Sequence, residues 1–192
     1  MSFVAAASAF VVAAVATPVQ AQPEMRSTAF RVFHDVCLAS DGDMSKLVDL
    51  AGRNGFALQL GVEPRTIGLL ENAIVMPLAE DRMETMLVVG WQGPMLSCRV
   101  TSKEKLEAAA LTGDVQHWVG FSADPKRIDG SVTNYFYTQT DQGRAPLLEP
   151  EQQRAAIEDK TFRVVWTSVR SDGVTLNLTA PPKEDASAPA GN

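Results

Sequence analysis

The side chains able to ligate a soft metal or exchange electrons are few. Cys37 and Cys98 are the only cysteines, and His34 and His117 the only histidines. His34 and Cys37 stand three apart, a spacing that puts both on one face of a helix. Joined by Cys98 and His117, they would complete a Cys2His2 zinc shell. The distances in sequence from Cys37 to Cys98 and on to His117 match no compact zinc motif. There is no Cys-x-x-Cys to lower a thiol pKa, so redox catalysis is set aside. The expectation is a structural disulfide between Cys37 and Cys98, with no metal and no cofactor.

Hydrolytic chemistry would run through His117. It sits beside Trp118 and is followed by Ser122 and Asp124, an acid and a hydroxyl within reach of a general base only if the fold brings them together. The chain has no Gly-x-Ser-x-Gly elbow and no His-Glu-x-x-His. Paired carboxylates occur at Glu80-Asp81 and at Asp41 with Asp43. Glycoside hydrolysis needs two carboxyls facing each other across a cleft, whereas neighbouring loop acids usually cap or face water. Asp41-Gly42-Asp43 also lacks the length and the closing Glu of a calcium loop.

Binding chemistry is better represented. Between Ser131 and Thr140 a β-rich run carries Tyr135 and Tyr137 on one face and Phe136 on the other. If Phe136 is core, both tyrosines face a groove or solvent and form a contact surface. The competing expectation is cross-strand aromatic packing in a sheet covered on both faces. Trp91, Trp118 and Trp166 pose the same choice. Tyr135, Tyr137 and His117 are the candidate contact residues.

The elements that position these groups follow from patterning. Phe3 to Ala16 is almost wholly apolar, a turn follows at Thr17-Pro18, and Val19-Gln20-Ala21 fits a signal-peptidase cut after Ala21. The run is shorter than the roughly 20 residues that span a bilayer. Signal peptides are ordinarily basic ahead of the apolar run, and only Met1-Ser2 precede it, so initiation is expected upstream. Residues 1–21 are therefore read as a signal peptide, 22–180 as a single domain and 181–192, rich in Pro, Ala and Ser, as a disordered tail. Such a mature chain is periplasmic or secreted, without a membrane anchor. Its cysteines meet an oxidising compartment and pair.

The formal net charge is −6. The longest basic groups are Lys103/Lys105 and Lys126-Arg127, too small to grip a phosphate backbone, which excludes nucleic acid as a partner. An envelope protein or a small ligand is the expected partner.

Ser27 or Thr28 caps a helix with Phe30, Phe33 and Cys37 along one stripe, and Asp43 caps a second with Met44, Leu47, Val48 and Ala51 on one face, ending at Asn54-Gly55. Leu58–Leu60 and Ala73–Met76 are short strand candidates. Glu84–Trp91 and Met95–Thr101 form a hairpin about Gln92-Gly93-Pro94. In its second strand Leu96, Cys98 and Val100 alternate with polar residues, which places Cys98 on the buried face. Thr101 and Glu104 match a capping box for a short helix through Ala110, and Gln116–Phe121 reads as a strand. Pro150 starts a helix through Asp159. Thr161–Arg170 and Val174–Thr179 make the last hairpin, turned at Asp172-Gly173. The fold class is α+β: an antiparallel sheet with the two N-terminal helices packed on one face, stapled by one disulfide.

Phe33 four residues before Cys37, a second helix ending at Gly55-Phe56, and Cys98-Arg99-Val100 in a strand together resemble a loose group of small exported proteins of Gram-negative bacteria. The resemblance covers Phe30 to Lys105 and implies export and a helix-to-strand disulfide, with no established enzymology. Phe56 stands where the group's pattern has Trp. The leading expectation is a non-catalytic binding or interaction protein. The alternatives are a small envelope hydrolase with His117 as general base, or a structural assembly partner.

Overall fold

A computed structural model describes residues 27–57, 64–80 and 84–183. The proposed signal peptide, the Leu58–Leu60 strand candidate and residues 184–192 of the expected tail lie outside these. Among the described residues nine strands form one antiparallel sheet. They are β1 (Arg65–Ile67), β2 (Leu70–Pro77), β3 (Thr85–Gln92), β4 (Met95–Ser102), β5 (Ile128–Asp129), β6 (Val132–Thr140), β7 (Gly143–Pro146), β8 (Phe162–Arg170) and β9 (Gly173–Ala180). The order is β1-β2-β3-β4-β9-β8-β6-β5, with β7 also paired to β6. Both expected hairpins are present, and β4 and β9, distant in sequence, pair at the centre.

Alternation explains the main core. Leu96, Cys98 and Val100 of β4, Leu176 and Leu178 of β9, Val165 of β8, and Tyr135 and Tyr137 of β6 are all buried in one cluster. Helix α1 (Thr28–Phe33) lies against β4 and β9, and its buried Phe30 and Phe33, with Val36 of the next turn, fill the same cluster. Ser27 caps it, accepting from the Phe30 N–H at 3.1 Å. The helix then widens to π geometry over His34–Leu38, with the Ala39 N–H donating to the His34 carbonyl five residues back. Helix α2 (Met44–Arg53) starts at Asp43, whose carboxylate accepts from the Lys46 N–H at 2.9 Å. It packs on the π turn through Leu47 and Ala51, while Val48, expected on that face, is 46% exposed.

The Cys37–Cys98 disulfide is formed, with Cα atoms 5.5 Å apart, and it staples the π turn to β4. Both sulfurs are consumed by it, so neither is available to the zinc shell.

Two expectations between residues 101 and 121 are corrected. Thr101 and Ser102 remain in β4, and the next helix, α3, spans Ala108–Val119. The Glu104 carboxylate does not start a helix of its own. It accepts from the Ala29 N–H at 2.9 Å and from the Ser27 hydroxyl at 3.2 Å, at the N-terminus of α1, where orphan donors favour an anion. The strand expected at Gln116–Phe121 is instead the end of α3, because Leu111, Val115 and Val119 recur every four residues and are all buried. Helix α4 (Pro150–Glu158) contacts β6 and β8 on the other face, where Ala156 clusters with Leu147, Phe162 and Phe136. The sheet thus carries helices on both faces at this end.

Pro181 is buried, and the Lys183 N–H donates to the Gly42 carbonyl at 3.2 Å. Residues 181–183 therefore belong to the fold, not to the tail expected from 181 onward. Among the described residues, no helix is long and apolar enough to cross a membrane.

Candidate functional site

A cleft of about 440 Å³ opens where the loop after the π turn meets the ends of β6, β7 and β8. Arg163, near the start of β8, anchors it. It lies in phase with Val165 on the core side of the strand, opposite Tyr137 of β6, and is 5% exposed. Its Nε and Nη2 donate to the two carboxylate oxygens of Asp41 at 2.6 and 3.1 Å. Its Nη1 donates to the carbonyls of Lys160 and Phe162. A two-pronged guanidinium–carboxylate pair fixes orientation as well as charge.

Asp41 is held in an unusual backbone state, with φ +48°. A non-glycine residue in the left-handed region carries a cost that persists where its surroundings over-determine it. Those surroundings are Arg163, Lys183 and the following Gly42. Lys183 Nζ lies 3.3 Å from Asp41 Oδ2. Burial pushes the Asp41 carboxyl up, but the hydrogen bonds and positive charges of Arg163 and Lys183 outweigh it and hold the group below its ordinary 3.8.

The opposite wall is Arg144 of β7 on Trp118 of α3. The guanidinium carbon stands 3.6 Å from the indole centroid, and Nη1 donates to the Trp118 carbonyl at 2.8 Å. Trp118 meets Tyr137 edge to face at 6.0 Å. Leu38, Gln139, Thr140 and Asp141 complete the lining.

Of the residues singled out in sequence, Tyr135 and Tyr137 are 1% exposed, so no open tyrosine groove exists on β6. They are packed instead, though not across the sheet: their aromatic neighbours come from α3 and the bend after it, with Phe121 6.5 Å from both rings. Burial pushes the Tyr135 phenol up to about 12, and its hydroxyl donates to the Thr112 carbonyl at 3.4 Å. Burial, with the Asp41 charge, also raises Tyr137. Neither exchanges protons near neutrality. Tyr137 nonetheless meets the cleft wall through its edge-to-face contact with Trp118.

His117 is exposed on α3 and is not part of the cleft wall, although its neighbour Trp118 is. Ser122 and Asp124 line a separate crevice of about 10 Å³ that does not include His117. Asp124 is occupied in capping the turn at Pro125–Arg127, accepting from the Lys126 N–H at 3.0 Å. His34 pairs with its neighbour Asp35 at 2.8 Å. Among the described residues, no group of three or more His, Cys, Asp or Glu side chains could hold a metal ion. Trp91 is buried, and Trp166 lies beneath the Arg99 guanidinium at 5.3 Å on the other sheet face.

Sequence reasoning missed Asp41 as a site residue and missed Arg144 and Arg163 altogether. One signal was available for Arg163, a charged residue in phase with the buried side of a strand. No family model, no curated protein and no solved structure matches the chain.

Proposed function

We propose that this chain is an exported, periplasmic, non-catalytic binding domain whose contact site is the Asp41–Arg163–Arg144 cleft. The observation that carries the reading is the Asp41–Arg163 pair. A strained acidic residue and a buried arginine are held rigid at the wall of a cleft whose volume suits a small molecule, in the range of about 300–1,000 Å³. Such preorganisation serves recognition, because the groups are oriented before a ligand arrives. Export is supported by the apolar stretch Phe3–Ala16 followed by Val19-Gln20-Ala21, together with a disulfide of the kind that persists outside the cytoplasm.

The placement of His117 weighs against a hydrolase, since it lines neither the cleft nor the crevice that holds Ser122 and Asp124. The experiment is mass spectrometry under native conditions on the protein recovered from a periplasmic fraction, paired with a hydrolase substrate screen. A bound small molecule lost from an Arg144→Gln variant supports the reading. Turnover of any substrate that His117→Ala abolishes overturns it and restores the enzyme alternative.

A further inference from the structure

We infer that the cleft takes a hydroxylated small molecule bearing a single carboxylate, of the sugar-acid class. The inference rests on the cleft being a binding site. Three cations, Arg144, Arg163 and Lys183, and two carboxylates, Asp41 and Asp141, line it, so it carries an excess of one positive charge in a chain of net charge −6. That excess matches one carboxylate and falls short of a phosphate dianion.

The cations differ in what they have left to offer. Arg163 is committed to Asp41 and to two carbonyls, and Lys183 leans on the same carboxylate. Arg144 spends one nitrogen, Nη1, on the Trp118 carbonyl. Its Nε and Nη2 have no partner among the described residues. Stacking on Trp118 holds the guanidinium flat, so those two donors leave on one edge, the arrangement that receives a carboxylate in two parallel hydrogen bonds. The remainder of the ligand must be polar. Gln139 gives an amide N–H to the Thr140 carbonyl, which leaves its Oε1 to accept from a ligand hydroxyl. The Trp118 face that Arg144 covers is closed to a flat aromatic ligand.

The test is titration of the isotope-labelled chain with D-glucuronate, D-glucose and inorganic phosphate, up to about 10 mM, read from amide shifts. D-glucuronate is expected to move Gln139, Thr140 and Arg144. D-glucose and phosphate are expected to bind at least about tenfold more weakly. Arg144→Gln should cost at least about tenfold with D-glucuronate, and Arg144→Lys, which keeps charge without the planar fork, should recover only part of it. Equal affinity for D-glucose, or undiminished D-glucuronate binding by Arg144→Gln, overturns the carboxylate assignment while leaving a binding cleft. Phosphate binding tighter than D-glucuronate overturns the single-charge argument. No shift with D-glucuronate overturns the ligand class, and the native mass spectrum then decides separately whether the cleft binds anything.

Discussion

Arg163 and Asp41, 122 positions apart, are joined by two parallel hydrogen bonds at 2.6 and 3.1 Å, with the arginine side chain 6% exposed and the aspartate 27%. Removing the cation leaves a partly desolvated carboxylate facing only Lys183. Loss of one partner from a fully buried pair costs about 3–5 kcal/mol. The partial exposure of Asp41 lowers the expectation for Arg163→Gln to about 2–4 kcal/mol, read as a shift in the urea midpoint at unchanged slope. A midpoint equal to that of the parent would mean that the pair contributes nothing to the fold.

The same pair sets an acid limb. Asp41 titrates below its ordinary 3.8 in the folded protein, so its contribution to stability is fully present above that value. It is lost as pH falls through the lowered folded pKa. Asp41→Asn removes the group that titrates. The stability difference between parent and variant should be constant from pH 7 to about 5 and shrink below about pH 4. Thermal melts across that range measure it, and a difference independent of pH would place the acid limb elsewhere.

The disulfide closes a separation of 61 residues. In the chain-entropy account such a crosslink is worth about 4 kcal/mol. The double variant Cys37→Ala/Cys98→Ala should lose about that much in equilibrium denaturation, and the parent should match it in the presence of reductant. If reduction leaves the parent's denaturation midpoint unchanged, this estimate fails.

Two glycines should respond with opposite sign. Gly42 has φ +83°, and a Cβ there would run into the Pro181 carbonyl, so Gly42→Ala is expected to cost about 1–3 kcal/mol. Gly113 lies inside α3 with open space around it, so Gly113→Ala should gain about 0.5–1 kcal/mol. Melting temperatures of the two variants give the signs directly.

Local rules carried most of the architecture. Asp43 announced α2, the Gly93-Pro94 and Asp172-Gly173 turns announced the hairpins, and the phase of Cys98 with Leu96 and Val100 announced the staple. Where a local pattern served a distant element, it misled. Thr101 and Glu104 have capping spacing, yet Glu104 caps α1, more than seventy residues away. The β-branched and aromatic composition of 116–121 suggested a strand, while tertiary packing selected the four-residue stripe of Leu111, Val115 and Val119. The cleft was hidden for the same reason. Asp41 read as one of two neighbouring loop acids and Arg144 drew no reading, and only the pairing of β6 with β7 and β8 brings their neighbourhoods together.

The π turn at His34–Leu38 is wider than a regular turn and takes one residue more to come back to the same face. In a regular helix each residue advances the chain by about 100°. Cys37 and Asp41 are tied at this turn and just beyond it, one to β4 and the other to β8. Were the turn to tighten to α geometry at the same chain length, the loop after it would swing by about that angle relative to α1 and leave its partners. The width of one turn therefore aims the loop at both anchors.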